Sequence, residues 1–434
     1  MPTSLRGIAN KASSDEHHRF RNLFGLLTVG FLLSCWQRVN KKAASGVDRV
    51  SARSYAKDLV DNVRDLWQRV KRGSYRAKLV RRRHISKEGG KTRPLGIPVV
   101  EDKLLQIAVC RILNAIYEPI FLACSWAYRS GRNAREAVRT LTQELQFGGY
   151  GYVVEIDIKG FFDRIDHDWL LRMLKLRIDD RPLLRLIGKW LKAGVLEEDG
   201  KVIHPETGCP QGSSISPMLA NIYLHYVLDL WFARVVKPRS KARAFMCRFA
   251  DDVVFAFQRG DEAEAFLQAV QKRLAKFGLE LSAEKSRLIR FSRTHLGKNS
   301  ERFDFLGFEF RWVVGYKGVA RVTRRTSRKR LRASLARVTE WLKAQRSMPV
   351  RQMVEALNLR LRGHYTYYGV IGNYGSLGSY FHQVRRLLRK WLGRRSQKGR
   401  MVWEKFNALL KRFPLEAPRI SESRHRQMVL VGVC

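Results

Sequence analysis

Two adjacent carboxylates, Asp251 and Asp252, sit between two apolar, strand-like runs in Cys247-Arg-Phe-Ala-Asp-Asp-Val-Val-Phe-Ala-Phe257. The pattern reads as a hairpin with the acids at its turn, where an isolated Asp ordinarily serves its own local hydrogen bonds. A third carboxylate, Asp157, lies toward the end of the β-branched run YVVEIDI (152–158), where a charge is expensive unless paired or metal-bound. Three carboxylates at the ends of neighbouring strands, in a strongly basic chain, suit a hard divalent cation. Mg²⁺ takes oxygen ligands, commonly a couple of carboxylates plus substrate phosphates. Two such ions about 4 Å apart can activate a 3′-hydroxyl and stabilise a departing pyrophosphate.

The elements that must position these acids are legible in the apolar spacing. Residues 50–75 and 101–122 read as helices, and RRRHISKEGGKTRPLGIP (81–98) as a basic hairpin turning at Gly89-Gly90. Helical stretches at 168–194, 214–233 and 261–277 separate the strands around Asp157 and Asp251. Strands alternating with long helices, then a helix-rich end, imply an α+β or α/β core followed by an α-helical module. Asp163, Asp166 and Asp168 stand where a helix begins and read as caps, while His167 and His225 read as locally hydrogen-bonded.

Charge points to the partner. The 434 residues hold 83 Lys+Arg against 39 Asp+Glu, a formal net charge of +44 that a polyanion would best tolerate. Residues 311–434 carry 29 Lys+Arg and 5 Asp+Glu, a net +24, so the C-terminal third reads as a separate basic module. Its densest runs, Arg321 to Arg330 (with Arg324, Arg325 and Arg328) and Arg385 to Arg395, read as helices with one apolar and one basic face, and as nucleic-acid contacts. With 45% hydrophobic residues the chain can bury a core, which excludes wholesale disorder. The longest apolar stretch, Leu23 to Trp36, is short of the roughly 20 residues a spanning helix needs and reads as a buried helix of a cytoplasmic protein. The six cysteines fall singly, which speaks against a zinc site or a disulfide framework.

At this point the blocks, taken in order, resemble the reverse transcriptases encoded by group II introns, also called maturases. The resemblance rests on SGVD (45–48), KEGGKTRPLGIPVVEDKLLQ (87–106), FLACSWAYRSGRNAREAV (121–138), VEIDIKGFFDRIDH (154–167), GCPQGSSISPMLANIYL (208–224), FADD (249–252), GLELSAEKS (278–286), FDFLGFEF (303–310) and LNLRLRGHYTYYGV (357–370). It implies an α+β right-hand polymerase. Residues 1–80 would form an N-terminal extension and the start of the fingers, 81–310 fingers and palm, 311–395 a helical thumb or maturase domain, and 396–434 a short basic tail.

The resemblance also implies roles. Asp157, Asp251 and Asp252 would be the catalytic, metal-binding carboxylates of a two-Mg²⁺ site, with the Ile158 carbonyl as a further ligand. Lys87 and Arg93 would hold the incoming triphosphate, a point charge beside a bidentate fork. Gln211 would lie beneath the nucleotide, and Phe162, with Phe161 beside it, would exclude a ribose 2′-hydroxyl unless both are ordinary core. Gly307 would let backbone approach the primer terminus, unless it marks a strand bulge. His364, Tyr365, Tyr367 and Tyr368 read first as helix packing. Phe249 replaces the family's usual Tyr, and Ser86 its usual Pro. The residues after 395 hold no H-N-H pattern or paired cysteines, so the resemblance is to members without the DNA endonuclease domain, whose second-strand priming would come from elsewhere. Implied partners are RNA template, structured intron RNA, DNA primer or target, and dNTPs. Three alternatives stay open: a domesticated relative in defence or DNA repair, a splicing cofactor that binds RNA without polymerising, and an RNA-directed RNA polymerase.

Overall fold

The computed structural model describes residues 4–86, 92–296, 300–395 and 401–422. The chain divides into two compact units, Met1–Asn133 with Val154–Leu288, and Ala134–Val153 with Ile289–Cys434. The architecture is mixed, with helices and sheets in the first unit and, in the second, the helix Ala134–Phe147, a sheet and further helices.

Strands are numbered along the chain: β1 (Val80–Ser86), β2 (Thr92–Ile97), β3 (Tyr152–Asp157), β4 (Val195–Leu196), β5 (Val202–Ile203), β6 (Ala244–Phe249), β7 (Asp252–Phe257), β8 (Arg287–Arg290), β9 (Arg302–Phe305), β10 (Phe308–Val314) and β11 (Ala320–Thr326). The basic segment 81–98 does form an antiparallel pair, with Arg81 facing Ile97 and Ile85 facing Arg93. It lies in a sheet ordered β2-β1-β4-β5, and Arg82 is anchored to Glu197 at 3.1 Å. The site-bearing sheet is ordered β6-β7-β3-β8.

Helix Val100–Tyr117 is buried almost throughout, including Leu104, Leu105, Ala108, Val109, Ile112 and Leu113. The SGVD block packs onto its start. A Cβ on Gly46 would stand 2.7 Å from the Val99 backbone, so only glycine fits there. The region read as one helix over 50–75 is broken into Ala52–Tyr55 and Leu59–Lys71, and the helix read over 101–122 stops at Tyr117. The stretch Leu23 to Trp36 holds a short 3₁₀ turn, Phe24–Leu26, and a helix, Val29–Trp36, capped by the Thr28 hydroxyl. Among the described residues no helix is long and apolar enough to cross a membrane.

Helix Ser216–Leu224 continues into two π-helical turns, His225–Asp229 and Phe232–Val236. Each extra residue rotates the following side chains relative to a regular α-helix, and such bulges recur at functional sites.

In the second unit β9, β10 and β11 form an antiparallel sheet, ordered β11-β10-β9. Among the described residues four helices follow: Arg328–Ala344, Val350–Tyr368, Tyr374–Gly393 and Trp403–Arg412. They share a core of Leu342, Leu357, Leu361, Val384, Leu388 and Phe406. Arg321 to Arg330 is not one helix. Residues 320–326 are β11, and the helix begins only at Arg328, after Ser327 caps it by accepting from the Arg330 N–H. Val322, Thr323 and Thr326 are β-branched, and cross-strand pairing with β10 overrides the helical spacing of the arginines. The edge of β11 is closed by Gln146, whose carboxamide donates to the Ala320 carbonyl and accepts from the Val322 N–H.

Candidate active site

Phe249 closes β6 opposite Asp252, which opens β7, leaving Ala250 and Asp251 as a two-residue turn. Ala250 has φ +59°. Tight hairpin turns require that left-handed conformation, which glycine or asparagine ordinarily supplies. For alanine it costs about 1–2 kcal/mol, so the surroundings must over-determine it. Arg248 does so. Its guanidinium is fully buried and uses all five N–H donors: Nε and Nη2 to the two Asp229 oxygens at 2.7 and 2.6 Å, Nη2 also to Ser125 Oγ at 2.7 Å, and Nη1 to Asn221 Oδ1 at 3.2 Å and the Ala250 carbonyl at 3.1 Å. Its own backbone bridges Cys124 and Trp126. One side chain thus ties the acidic turn to the π-helical turn carrying Asp229 and to the loop before Tyr128. Residue spacing did not single out Arg248. The available signal was a charge inside the apolar strand AFMCRF, which must find a buried partner.

Asp157 closes β3, the neighbour of β7 in the sheet. Its N–H donates to Ser286 Oγ at 3.2 Å, its carbonyl accepts from the Ser282 N–H at 2.8 Å, and its carboxylate pairs with Lys285 Nζ at 3.0 Å. Ile158 is buried and forms an isolated bridge with Leu281. Among the described residues no three His, Cys, Asp or Glu side chains converge as a preformed metal cluster. The expected residues, Asp157, Asp251 and Asp252 at the ends of the neighbouring strands β3 and β7 with the Ile158 carbonyl, offer oxygen atoms only, which is the donor chemistry of a hard divalent cation.

The second expected group is drawn together through backbone. The Gly96 N–H of β2 donates to the Gln211 carbonyl at 2.5 Å. Gly212, at φ +105°, stands so close to Gly96 that a Cβ would lie 2.6 Å from the Gly96 carbonyl oxygen. Arg93 is exposed on β2, and Gln211 is half-buried. Lys87 lies outside the described residues. Tyr128, which the motif reading passed over, adopts φ +58° and is 53% exposed. Burial raises the pKa of its phenol; the Asp251 charge raises it further and Arg93 opposes. Tyr128 therefore stands within electrostatic reach of both.

Phe161 and Phe162 form a 3₁₀ turn after Gly160, with rings 5.3 Å apart edge to face. Phe161 is buried and Phe162 half-exposed, so the two differ as Phe161 in the core and Phe162 at its rim. The Phe162 carbonyl accepts from the Cys209 N–H at 2.7 Å, which ties this turn to the segment leading to Gln211. Asp166 caps helix His167–Lys175 by accepting from the Trp169 N–H. His167 bonds the Gly208 carbonyl at 2.7 Å, whereas His225 Nδ1 is buried without a hydrogen-bond partner and the ring meets Phe121 edge-on. Burial pushes the His225 pKa down to about 4.

In the second unit Leu306 (φ +51°) and Gly307 (φ +81°) make the two-residue turn joining β9 to β10. A Cβ on Gly307 would stand 2.9 Å from Tyr368 Oη, so glycine is required by both turn and packing. The rings of the 364–368 cluster pack internally: His364 stacks on Tyr380 at 3.8 Å, and Tyr367 donates to the Leu306 carbonyl. Arg325 and Arg328 are exposed. Arg324 is buried and forked onto Glu422 at 2.6 and 2.7 Å. The expectation of a primer or template contact at Arg324 is therefore corrected: strand alternation turns it inward.

Residues 85–310 match the reverse transcriptase (RNA-dependent DNA polymerase) family, and residues 331–409 match the group II intron, maturase-specific domain. The chain is 45% identical over 175 residues to the group II intron-encoded protein LtrA of Lactococcus lactis subsp. cremoris, a stretch covering 39% of this chain and 29% of that protein. It is 29% identical over 334 residues to protein YkfC of Escherichia coli, covering 70% of this chain and 86% of that one. A 91 kDa protein in the cob intron of Schizosaccharomyces pombe is 40% identical over 166 residues, 38% of this chain and 20% of that protein.

Proposed function

Because the chain belongs to the reverse transcriptase (RNA-dependent DNA polymerase) family, with a maturase-specific domain following, we propose that it copies RNA into DNA and assists the splicing of structured intron RNA. The observation that carries this reading is the Ala250-Asp251 turn leading into Asp252, braced by buried Arg248 beside the strand that ends at Asp157. In this reading the β2-β1-β4-β5 sheet belongs to the fingers, the β6-β7-β3-β8 sheet to the palm, and the helices from Arg328 onward to the thumb.

Asp157, Asp251 and Asp252, with the Ile158 carbonyl, would hold two Mg²⁺ ions, which when bound lower the pKa of the primer 3′-hydroxyl and offset the charge on pyrophosphate. The chain's own groups supply position. Arg93 forks onto the triphosphate and Lys87 adds a point charge. Gln211 lies under the nucleotide, Phe162 meets its sugar edge, and the Leu306-Gly307 turn approaches the primer. Arg325 and Arg328 hold phosphates, and the maturase domain holds intron RNA through phosphate and 2′-hydroxyl contacts. The reaction runs in the cytoplasm.

Primer extension on an RNA template, with dNTPs compared against NTPs, tests the reading. Full-length DNA product with little ribonucleotide incorporation supports it, and RNA product from NTPs overturns it in favour of an RNA polymerase.

A further inference from the structure

The β9–β11 sheet has two unlike faces. Phe308, Phe310 and Trp312 of β10 are buried, and their partners across to β11 are Thr326, Arg324 and Val322. The opposite face pairs Glu309 with Arg325, Arg311 with Thr323, and Val313 with Arg321. Charge on this outer face is graded. Acidic Asp304 and Glu309 lie toward the Leu306-Gly307 turn, and Arg302 reaches Glu309 at 3.7 Å. Toward the other end, Arg311 and Arg321 have no acidic partner within 4 Å among the described residues. The Arg321 stem lies against the backbone of Gly315, where a Cβ would stand 3.1 Å from Arg321 Cδ. Although Arg325 is largely exposed, partial desolvation lowers the pKa of its guanidinium; repulsion from Arg311 and, less, from Arg321 adds to this, and Glu309 across the strand opposes it.

Beyond these arginines the β10–β11 hairpin ends in an exposed tip. Val314 is 58%, Tyr316 84% and Val319 65% exposed, and Lys317 Nζ lies 5.7 Å from the centre of the Tyr316 ring. Uncompensated cations beside an exposed aromatic ring form the combination that binds single-stranded nucleic acid, phosphate on cation and base on ring. The face belongs to the same compact unit as the maturase-specific residues 331–409.

We propose that this end of the outer face, Arg311, Arg321 and Lys317 with the Tyr316 ring, docks single-stranded RNA. The assignment rests on the reading that RNA is the chain's working partner, and adds Arg311, Lys317 and the Tyr316 ring to Arg321, the one member of this surface that the basic runs already mark. Two guanidinium groups take successive phosphates and Tyr316 stacks on one base, so binding depends on salt through the arginines and on stacking through the tyrosine.

The test is the affinity of the full chain for a labelled single-stranded RNA oligonucleotide across a salt titration. The double variant Arg311→Ala/Arg321→Ala is expected to lower the slope of log affinity against log salt by about 1.4, near 0.7 per lost phosphate contact. Tyr316→Ala is expected to weaken binding about 5- to 150-fold with the slope unchanged, the worth of one stacked base. Arg321→Lys, which keeps the charge, is expected to retain the wild-type slope. Unchanged slope and affinity in both alanine variants overturn the proposal. So does lost binding to phosphatidylserine vesicles with RNA binding intact, which reassigns the tip to a membrane surface. Primer extension by wild type on a preformed RNA–DNA primer-template separates the two failures, because it reads the polymerase directly.

Discussion

Arg248 and Asp229 form a fully buried, two-point ion pair, with 2.7 and 2.6 Å contacts, and the arginine's remaining donors hold Ser125, Asn221 and the carbonyl of Ala250. A buried pair contributes little net stability against an apolar substitute, but removing one partner strands the other's charge at a cost of about 3–5 kcal/mol. Its distinctive effect is local, since it holds an alanine in the left-handed turn that presents Asp251.

Arg248→Ala and Asp229→Ala are accordingly expected to lower unfolding stability by about 3–5 kcal/mol each, and the double variant by less than the sum. Urea unfolding checks this. Arg248→Lys keeps the charge but not the fork, and is expected to fold while losing more in kcat than in KM for primer extension.

Lys285 and Asp157 are partly exposed, at 64% and 42% of their side-chain areas, so their pair is worth only about 0–1 kcal/mol. The ammonium nevertheless competes with any cation for the same carboxylate. Lys285→Ala is expected to tighten Mn²⁺ binding, read by calorimetry, by up to about 5-fold. Weaker binding would show that the lysine supports the ion site instead.

Phe161 and Phe162 should separate cleanly. Truncating buried Phe161 to Ala is expected to cost about 3–5 kcal/mol of stability. Phe162→Ala, at the rim of the core, is expected to cost less stability and to raise the ratio of NTP to dNTP incorporation. Equal ratios in wild type and Phe162→Ala would remove Phe162 from sugar selection.

His364 sets a pH dependence in the helical unit. Burial, with repulsion from Arg337, pushes its pKa down to about 4, so it is neutral in the fold and protonated below about 6.5 in the unfolded chain. The unfolded state then binds more protons between pH 4 and 6.5, and stability rises with pH across that window, by at most about 1.4 kcal/mol per unit from this group. His364→Phe is expected to flatten the dependence relative to wild type. An unchanged slope in denaturant unfolding from pH 4 to 6.5 would contradict it.

The acidic hairpin was readable because its signals are local: two short, nearly continuous apolar runs with two acids between them. The β1–β2 pair and the Asp166 cap were readable for the same reason. What escaped depends on distant pairing. Arg321, Arg324, Arg325 and Arg328 have helical spacing, yet β10 supplies a partner strand that spacing alone does not reveal, and alternation then divides Arg324 from Arg325. Arg248 finds Ser125 across 123 residues and Asp229 through a π-helical turn with no sequence signature. Tyr128 was hidden likewise, since its relation to Asp251 and Arg93 exists only once the loop after Ser125 is pinned. The family match establishes the class, but 29% of LtrA's length is too little to carry that protein's full activity across.

The most direct measurement is primer extension on an RNA template with Mg²⁺ and dNTPs by wild type and by Asp251→Asn/Asp252→Asn, with RNA affinity and unfolding followed in parallel. Full-length DNA from wild type alone, with the variant folded and still binding RNA, is the expected result. Tight RNA binding by both proteins and extension by neither would contradict the polymerase assignment and leave an RNA-binding splicing cofactor.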